Sequence, residues 1–167
     1  MAGETGGAER SGAQSIGWTQ PLDEVLALIP HRWPFRFVDA LTRLDETGAE
    51  GRYRFREDEV FYQGHFPGNP ITPGVILIEC MGQVGVVAHG IYLYGLDHPR
   101  ADVLRHLTVF SDGEVEFHSM VKPGDEVFIR AEKVFFRRKK IKARCEMRLA
   151  DGRLAASATL SGIGVTE

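Results

Sequence analysis

The alternation of hydrophobic and polar residues predicts one long buried helix and a series of β-strands. Residues 75–94 are apolar on nearly every side, a pattern typical of a helix enclosed by a core. Residues 21–29 have their apolar side chains at helical spacing and predict a short amphipathic helix. The segments with alternating or β-rich sequence are 35–44, 51–56, 103–110, 114–120, 126–136, 139–149 and 153–165. A long apolar helix followed by a run of antiparallel strands predicts an α+β domain, with the helix lying against a curved sheet.

Glycine and proline dominate the segment just before the long helix. Residues 64–74, with the sequence GHFPGNPITPG, place a breaking residue at every few positions, so regular structure is not expected there. Thr72 is predicted to cap the helix, with Pro73 at the first helical position. The glycines of this segment would let the backbone approach a ligand closely.

Glu79 is unexpected in the long apolar helix. A carboxylate is almost never fully buried without a partner, because removing its charge from water is costly. Gln83 follows one turn later on the same face and can hydrogen-bond the carboxyl group. Either a partner holds the carboxylate or the group is protonated, and both conditions suit a general acid. The alternative is that Glu79 lies at a solvated edge of the helix, and the residues alone leave the two interpretations open.

His65 lies in the glycine- and proline-rich segment. An imidazole can act as a base near neutral pH, although an isolated loop histidine more often hydrogen-bonds the backbone. Here the unpaired amides at the start of the following helix would suit a developing oxyanion. A base, an acid and oxyanion donors thus fall within about fifteen residues of one another, which favours a catalytic site.

The other histidines and the cysteines lack comparable neighbours. Cys80 is adjacent to Glu79 but points about 100° away on a helix, which argues against a nucleophile. Cys80 and Cys145 have neither metal-ligand nor disulfide spacing, and this cysteine usage favours a reduced, cytoplasmic protein. The histidines without a matching partner, expected to be core or surface residues, are His31, His89, His106 and His118.

Composition and charge narrow the class of protein. The chain has 167 residues and a net charge of −3, which fits one soluble domain and gives no global electrostatic case for nucleic acid. Residues 1–20 are rich in small and polar types and predict a mobile tail, followed by a single domain over 21–167. The basic run 137–140 predicts a solvated hairpin turn, with a surface for an acidic partner as the alternative. Polar residues and glycines interrupt the apolar helix, so a membrane span is not expected.

Several segments together resemble the 3-hydroxyacyl-[acyl-carrier-protein] dehydratases of FabZ type. They are PHRWPF at 30–35, GHFPGNPITPGV at 64–75 with Glu79 four residues further on, and VKPGD at 121–125. The resemblance covers roughly residues 21–165. It implies a hotdog fold, in which a curved antiparallel sheet wraps a long central helix. It also implies a homodimer with two sites at the interface, which can associate into a trimer of dimers.

The resemblance also implies roles for individual residues. His65 and Glu79 would be the catalytic pair, contributed by different subunits, and Gln83 would support the acid. Contacts to the substrate thioester are implied for Gly74, Val75 and Phe66. The implied reaction converts a 3-hydroxyacyl chain on acyl carrier protein into a trans-2-enoyl thioester. The resemblance implies no cofactor, metal, nucleic acid or membrane.

Two departures leave the pathway and the function open at this point. Residues 114–120, EVEFHSM, are less basic than in the FabZ type and resemble the FabA branch, which has aspartate where this chain has Glu79. Fatty-acid synthesis and a dedicated polyene or polyketide-like pathway are therefore both compatible with the sequence. A hotdog-fold acyl thioesterase would also use a helix carboxylate, but hydrolysis needs no base for an α-proton, so His65 favours dehydration. A non-catalytic module that binds acyl chains would be expected to lack one of the pair.

Overall fold

A computed structural model of the chain describes residues 20–166, which form an antiparallel sheet around one long helix. The strands are β1 (Ala40–Leu44), β2 (Gly48–Arg54), β3 (His106–Phe117), β4 (Glu126–Arg137), β5 (Lys140–Leu149) and β6 (Leu154–Thr166). The α-helices are α1 (Leu22–Leu28), α2 (Gly74–Gly82), α3 (His89–Gly95) and α4 (Arg100–Val103), and a 3-10 turn covers Val60–Gln63. The predicted tail over 1–20 lies outside the described residues except for Gln20, whose side-chain amide donates to the carbonyl of Tyr92 at 2.9 Å.

The sheet has the strand order β1-β2-β4-β5-β6-β3, and all neighbouring strands are antiparallel. This arrangement around a central helix confirms the predicted α+β hotdog architecture, and it leaves β1 and β3 as edge strands. The basic run lies at the β4–β5 hairpin, where Arg138 and Lys139 both have positive φ, as a two-residue type I′ turn requires. Lys139 also donates from Nζ to Nε2 of His106 at 2.5 Å.

The central helix, Gly74–Gly95, consists of α2, a π-helical segment (Gln83–Ala88) and α3. Its length and composition would suffice to cross a membrane, but most of it is buried inside the fold, as in the core helix of a soluble protein. The helix approaches the sheet closely at Gly85, where an added Cβ would lie 2.7 Å from both Ala131 Cβ and Cys145 Sγ. The predicted extent of the helix is confirmed, whereas the π-helical segment has no counterpart in the predictions from the sequence.

Two predictions about the strands are wrong in detail. Segments 103–110 and 114–120 are not separate strands but belong largely to β3, whose register shifts at a bulge between Phe110 and Asp112. A bulge absorbs an extra residue without ending the strand, so the apparent break in the pattern is local. The predicted strand over 35–44 begins only at Ala40, because the backbone before it bonds to the side chain of Gln83 instead of to another strand.

Candidate active site

Glu79 lies in α2 with its side chain only 14% exposed, and two side chains contact the same carboxylate oxygen. Gln83 Nε2 donates to Oε1 at 2.9 Å. His31 Nε2 lies 3.2 Å from that same Oε1. Within residues 20–166 no other hydrogen bond or ion pair reaches this side chain. The carboxyl group is therefore held through one oxygen, and Oε2 remains available to a reacting group.

The backbone of the segment before β1 fixes the orientation of Gln83. This side chain is fully buried; its Oε1 accepts from the amide of Phe37 at 2.7 Å, and its Nε2 donates to the carbonyl of Phe35 at 2.8 Å. A reversed amide would set two donors against each other at Phe37, so the oxygen and nitrogen positions are unambiguous. Gln83 therefore presents an N–H group to Glu79, the residue that the sequence places one turn earlier.

His31 was expected to be a core or surface residue without a matching partner, and this expectation is wrong. It contacts Glu79 through Nε2, while its Nδ1 is buried and has no hydrogen-bond partner among the described residues. Its ring stacks on that of Phe35, with centroids 6.4 Å apart. The one sequence signal was the pair Pro30 and Pro34, which restricts the backbone around it.

His65 is held inside its own loop. Its Nδ1 lies 2.8 Å from the carbonyl oxygen of Ile71, and the Ile71 amide donates to the His65 carbonyl at 3.0 Å. A carbonyl only accepts, so Nδ1 carries the proton and Nε2 is left as an acceptor. The ring of Phe66 stacks on the imidazole, with centroids 4.1 Å apart. The imidazole is thus fixed in the tautomer that a general base needs.

The backbone amides at the start of the central helix are the predicted oxyanion donors. The predicted cap by Thr72 is wrong, because its hydroxyl pairs with that of Tyr62 at 2.6 Å, and Pro73 occupies the N-cap position without a side-chain cap. No acceptor in the described part of the chain takes the N–H groups of Gly74 and Val75. Unpaired amides at the positive end of a helix suit a developing oxyanion.

An apolar groove of about 330 Å³ lies between α2 and the edge strand β3. Ile78 lines it from the helix, and Val115 and Phe110 line it from β3. The Phe110 ring lies directly over Gly82, where an added Cβ would collide with it. Phe110 therefore lines the groove at a point about two turns beyond the start of the helix.

The structure brings together some of the predicted site residues and not others. Glu79 and Gln83 are in direct contact, together with the unanticipated His31. By contrast, no hydrogen bond or ion pair connects His65 with Glu79 across residues 20–166. Cys80 is fully buried, and burial raises the pKa of its thiol well above the usual range, so it does not act as a nucleophile.

Solved structures with a similar fold support the architecture. The dehydratase heterocomplex ApeI:P from Xenorhabdus doucetiae superposes with a TM-score of 0.68 at 16% identity, covering 86% of this chain and 91% of that chain. A thioesterase from Haemophilus influenzae, HI1161, superposes with a TM-score of 0.63 at 14% identity, covering 92% of this chain and 96% of that chain. At such low identity these similarities show the hotdog fold alone.

Sequence comparison is more specific. The model of the FabA-like domain matches residues 29–159. The 3-hydroxyacyl-[acyl-carrier-protein] dehydratase FabZ of Caldicellulosiruptor bescii is 39% identical over 114 residues, which cover 66% of this chain and 75% of that protein. The protein of the same name from Chloroflexus aggregans is 36% identical over 140 residues, covering 83% of this chain and 92% of that protein. The chain therefore belongs to the FabA-like family, and within it to the 3-hydroxyacyl-[acyl-carrier-protein] dehydratases of FabZ type.

Proposed function

We propose that this protein dehydrates 3-hydroxyacyl chains carried on acyl carrier protein to trans-2-enoyl thioesters in fatty-acid biosynthesis, with His65 as base and Glu79 as acid. The observation that carries the proposal is the contact between His65 Nδ1 and the Ile71 carbonyl, which leaves Nε2 free to accept a proton. The carboxyl group of Glu79 complements it, because one of its oxygens is anchored and the other is not.

The reaction follows from these groups. His65 Nε2 takes the α-proton, and the charge that develops on the thioester oxygen is stabilised by the Gly74 and Val75 amides. The bond from the β-carbon to its hydroxyl breaks, and Glu79 gives that oxygen the proton with which it leaves as water. The enzyme regains its starting state when the proton held by His65 returns to Glu79. Phe66, stacked on the imidazole, holds the ring in place.

A homodimer would complete each site. Support comes from β3, a 12-residue edge strand whose Phe110 and Phe117 are 44% and 51% exposed. Pairing two such edges would cover unpaired backbone groups and apolar surface. In this arrangement His65 of one subunit would face Glu79 of the other. Light scattering of the purified protein measures the assembly and distinguishes a dimer from a trimer of dimers.

The chain is expected to work on a soluble carrier in the cytoplasm. Support comes from its buried free cysteines and from the burial of the apolar helix Gly74–Gly95. The thioesterase alternative has less support, because the similarity to thioesterase structures is one of fold alone.

The decisive test measures enoyl thioester formation from 3-hydroxyacyl carrier protein by mass spectrometry. His65→Ala and Glu79→Gln should each abolish product, while the control variants His118→Ala and Glu46→Gln, at exposed positions, keep wild-type rates. Release of free carrier thiol without enoyl product would instead identify a thioesterase. Near wild-type turnover by Glu79→Gln would exclude the acid role.

The shared site has its own test, in which the two inactive variants are co-expressed. Random pairing places half of the chains in mixed dimers, and each mixed dimer would contain one intact site and one doubly altered site. We therefore expect recovery of about a quarter of the wild-type rate. If His65 and Glu79 act within one chain, no mixed dimer is active and nothing is recovered.

A further inference from the structure

We propose that His31 is a positioning residue for Glu79, donating from Nε2 to Oε1 so that the acidic proton is held on Oε2. The inference rests on the proposed function, because it concerns the same acid. His31 does not touch the reacting atoms in this scheme and acts only through Glu79.

Both side chains that contact the Glu79 carboxyl group do so at the same oxygen, Oε1. Gln83 and His31 contact Oε1 at 2.9 Å and 3.2 Å, and the backbone contacts of Gln83 establish that it donates there. A carboxyl oxygen has two acceptor sites, and two N–H donors occupy both of them. A proton on Oε1 would then meet a donor, whereas Oε2 has no partner within the described residues. The proton that leaves with the hydroxyl is therefore carried by Oε2.

The surroundings of His31 favour a proton on Nε2 of its ring. Among residues 20–166 its Nδ1 is buried without a partner, so a proton there would be an unsatisfied buried N–H group. The remaining tautomer is the one that donates to Glu79.

Without the contact from His31, the Glu79 carboxyl group would be held by Gln83 alone and would be free to rotate about that hydrogen bond. Its proton would then be shared between Oε1 and Oε2, and only part of the population would face the substrate correctly. In this scheme His31 acts only through Glu79, so loss of the contact should lower kcat and leave KM nearly unchanged.

The experiment compares His31→Phe, which keeps an aromatic ring beside Phe35 but has no donor, with His31→Gln, which restores an N–H group. We expect kcat of the Phe variant to fall at least about tenfold, the scale of one lost hydrogen bond, with KM within about twofold. His31→Gln should recover most of kcat. The control is His98→Phe, because His98 also stacks on an aromatic ring and bonds a backbone carbonyl, at the other end of the central helix.

Two results would overturn the inference: wild-type kcat in His31→Phe, or equal losses in the Phe and Gln variants. Thermal unfolding of each variant separates these results from misfolding, and His31→Leu provides a second variant without a donor if the Phe variant does not fold. Glu79→Gln is measured in parallel. If it retains wild-type turnover, the proposed function itself fails; if it is inactive while His31→Phe is fully active, only the role of His31 fails.

Discussion

The amide of Phe37 donates a hydrogen bond of 2.7 Å to the side-chain oxygen of Gln83. The contact connects the segment that leads into β1 with the middle of the central helix, and it does so in the buried interior. The Gln83 side chain also satisfies the carbonyl of Phe35, at 2.8 Å. One side chain therefore replaces the strand pairing that these two backbone groups would otherwise need.

Replacing Gln83 with Leu should destabilise the protein. The substitution leaves the Phe37 amide and the Phe35 carbonyl buried without partners, and we expect a loss of roughly 2–4 kcal/mol in the free energy of unfolding. Urea denaturation measures this loss. Gln63→Leu, at an exposed position, is the control and should change stability little. An equal effect of both substitutions would show that the buried contacts contribute nothing specific.

Two glycines of the central helix should respond to alanine in opposite directions. Gly85→Ala places a methyl group 2.7 Å from Ala131 and Cys145, and overpacking of this kind costs about 1–3 kcal/mol. At Gly90 the nearest atoms are 3.9 Å away, so Gly90→Ala should stabilise the helix by about 0.5–1 kcal/mol. Thermal unfolding of the pair checks both signs, and destabilisation by Gly90→Ala would contradict the packing described here.

His89 should make stability depend on pH in mildly acidic solution. Burial lowers its pKa to about 4, and Lys133 and Arg43 act in the same direction while Asp45 opposes them. Between about pH 6.5 and 4 the unfolded chain binds a proton that the folded chain does not, so the free energy of unfolding falls as the pH falls. Over this pH range the free energy of unfolding should fall by roughly 3 kcal/mol in total.

Urea denaturation at several pH values measures this dependence. In His89→Gln the slope between pH 6.5 and 4 should be much smaller, because the titrating group is gone. The pKa of the Asp45 carboxyl is lowered mainly by hydrogen bonds from Thr47, so this group affects stability only at lower pH. Its contribution to the pH dependence should remain in His89→Gln. An unchanged slope would show that other groups produce the pH dependence.

Phe110→Ala should change the preferred acyl chain. Its ring lines the groove between α2 and β3 and covers Gly82, so its removal should enlarge the groove at this point. Under the proposed function, the ratio of kcat/KM for long-chain to short-chain 3-hydroxyacyl carriers should rise. Phe128→Ala, at an exposed position on β4, is the control and should leave the ratio unchanged. A reduced rate at every chain length would instead indicate a general packing role for Phe110.

Much of this architecture could be predicted from the sequence, because burial leaves a strong periodic signal. The apolar pattern over 75–94 located the central helix, and Glu79 stood out as the acid within it. The bulge in β3 could not be predicted, because the residues around Asp112 and Gly113 are typical of turns and only the pairing with β6 keeps them in a strand.

Long-range contacts explain what the sequence missed at the site. His31 and Glu79 lie on different elements, and no spacing rule connects residues on either side of β1 and β2. The partner of His65 could not be predicted either, because the Ile71 carbonyl is a backbone group that every residue type has. Residue types therefore singled out Glu79 and His65 as the proposed acid and base, while the groups that contact them became apparent only in three dimensions.

The π-helical segment Gln83–Ala88 also determines how the two halves of the central helix face their surroundings. The amide of His89 bonds to the carbonyl of Val84, five residues earlier, so this turn holds more than the usual 3.6 residues. Everything from α3 onward is rotated about the helix axis relative to an uninterrupted α-helix. The π-helical segment thus sets the direction in which the half with His89 faces, relative to the half with Glu79. Deletion of a single residue between them would rotate α3 about the helix axis relative to α2.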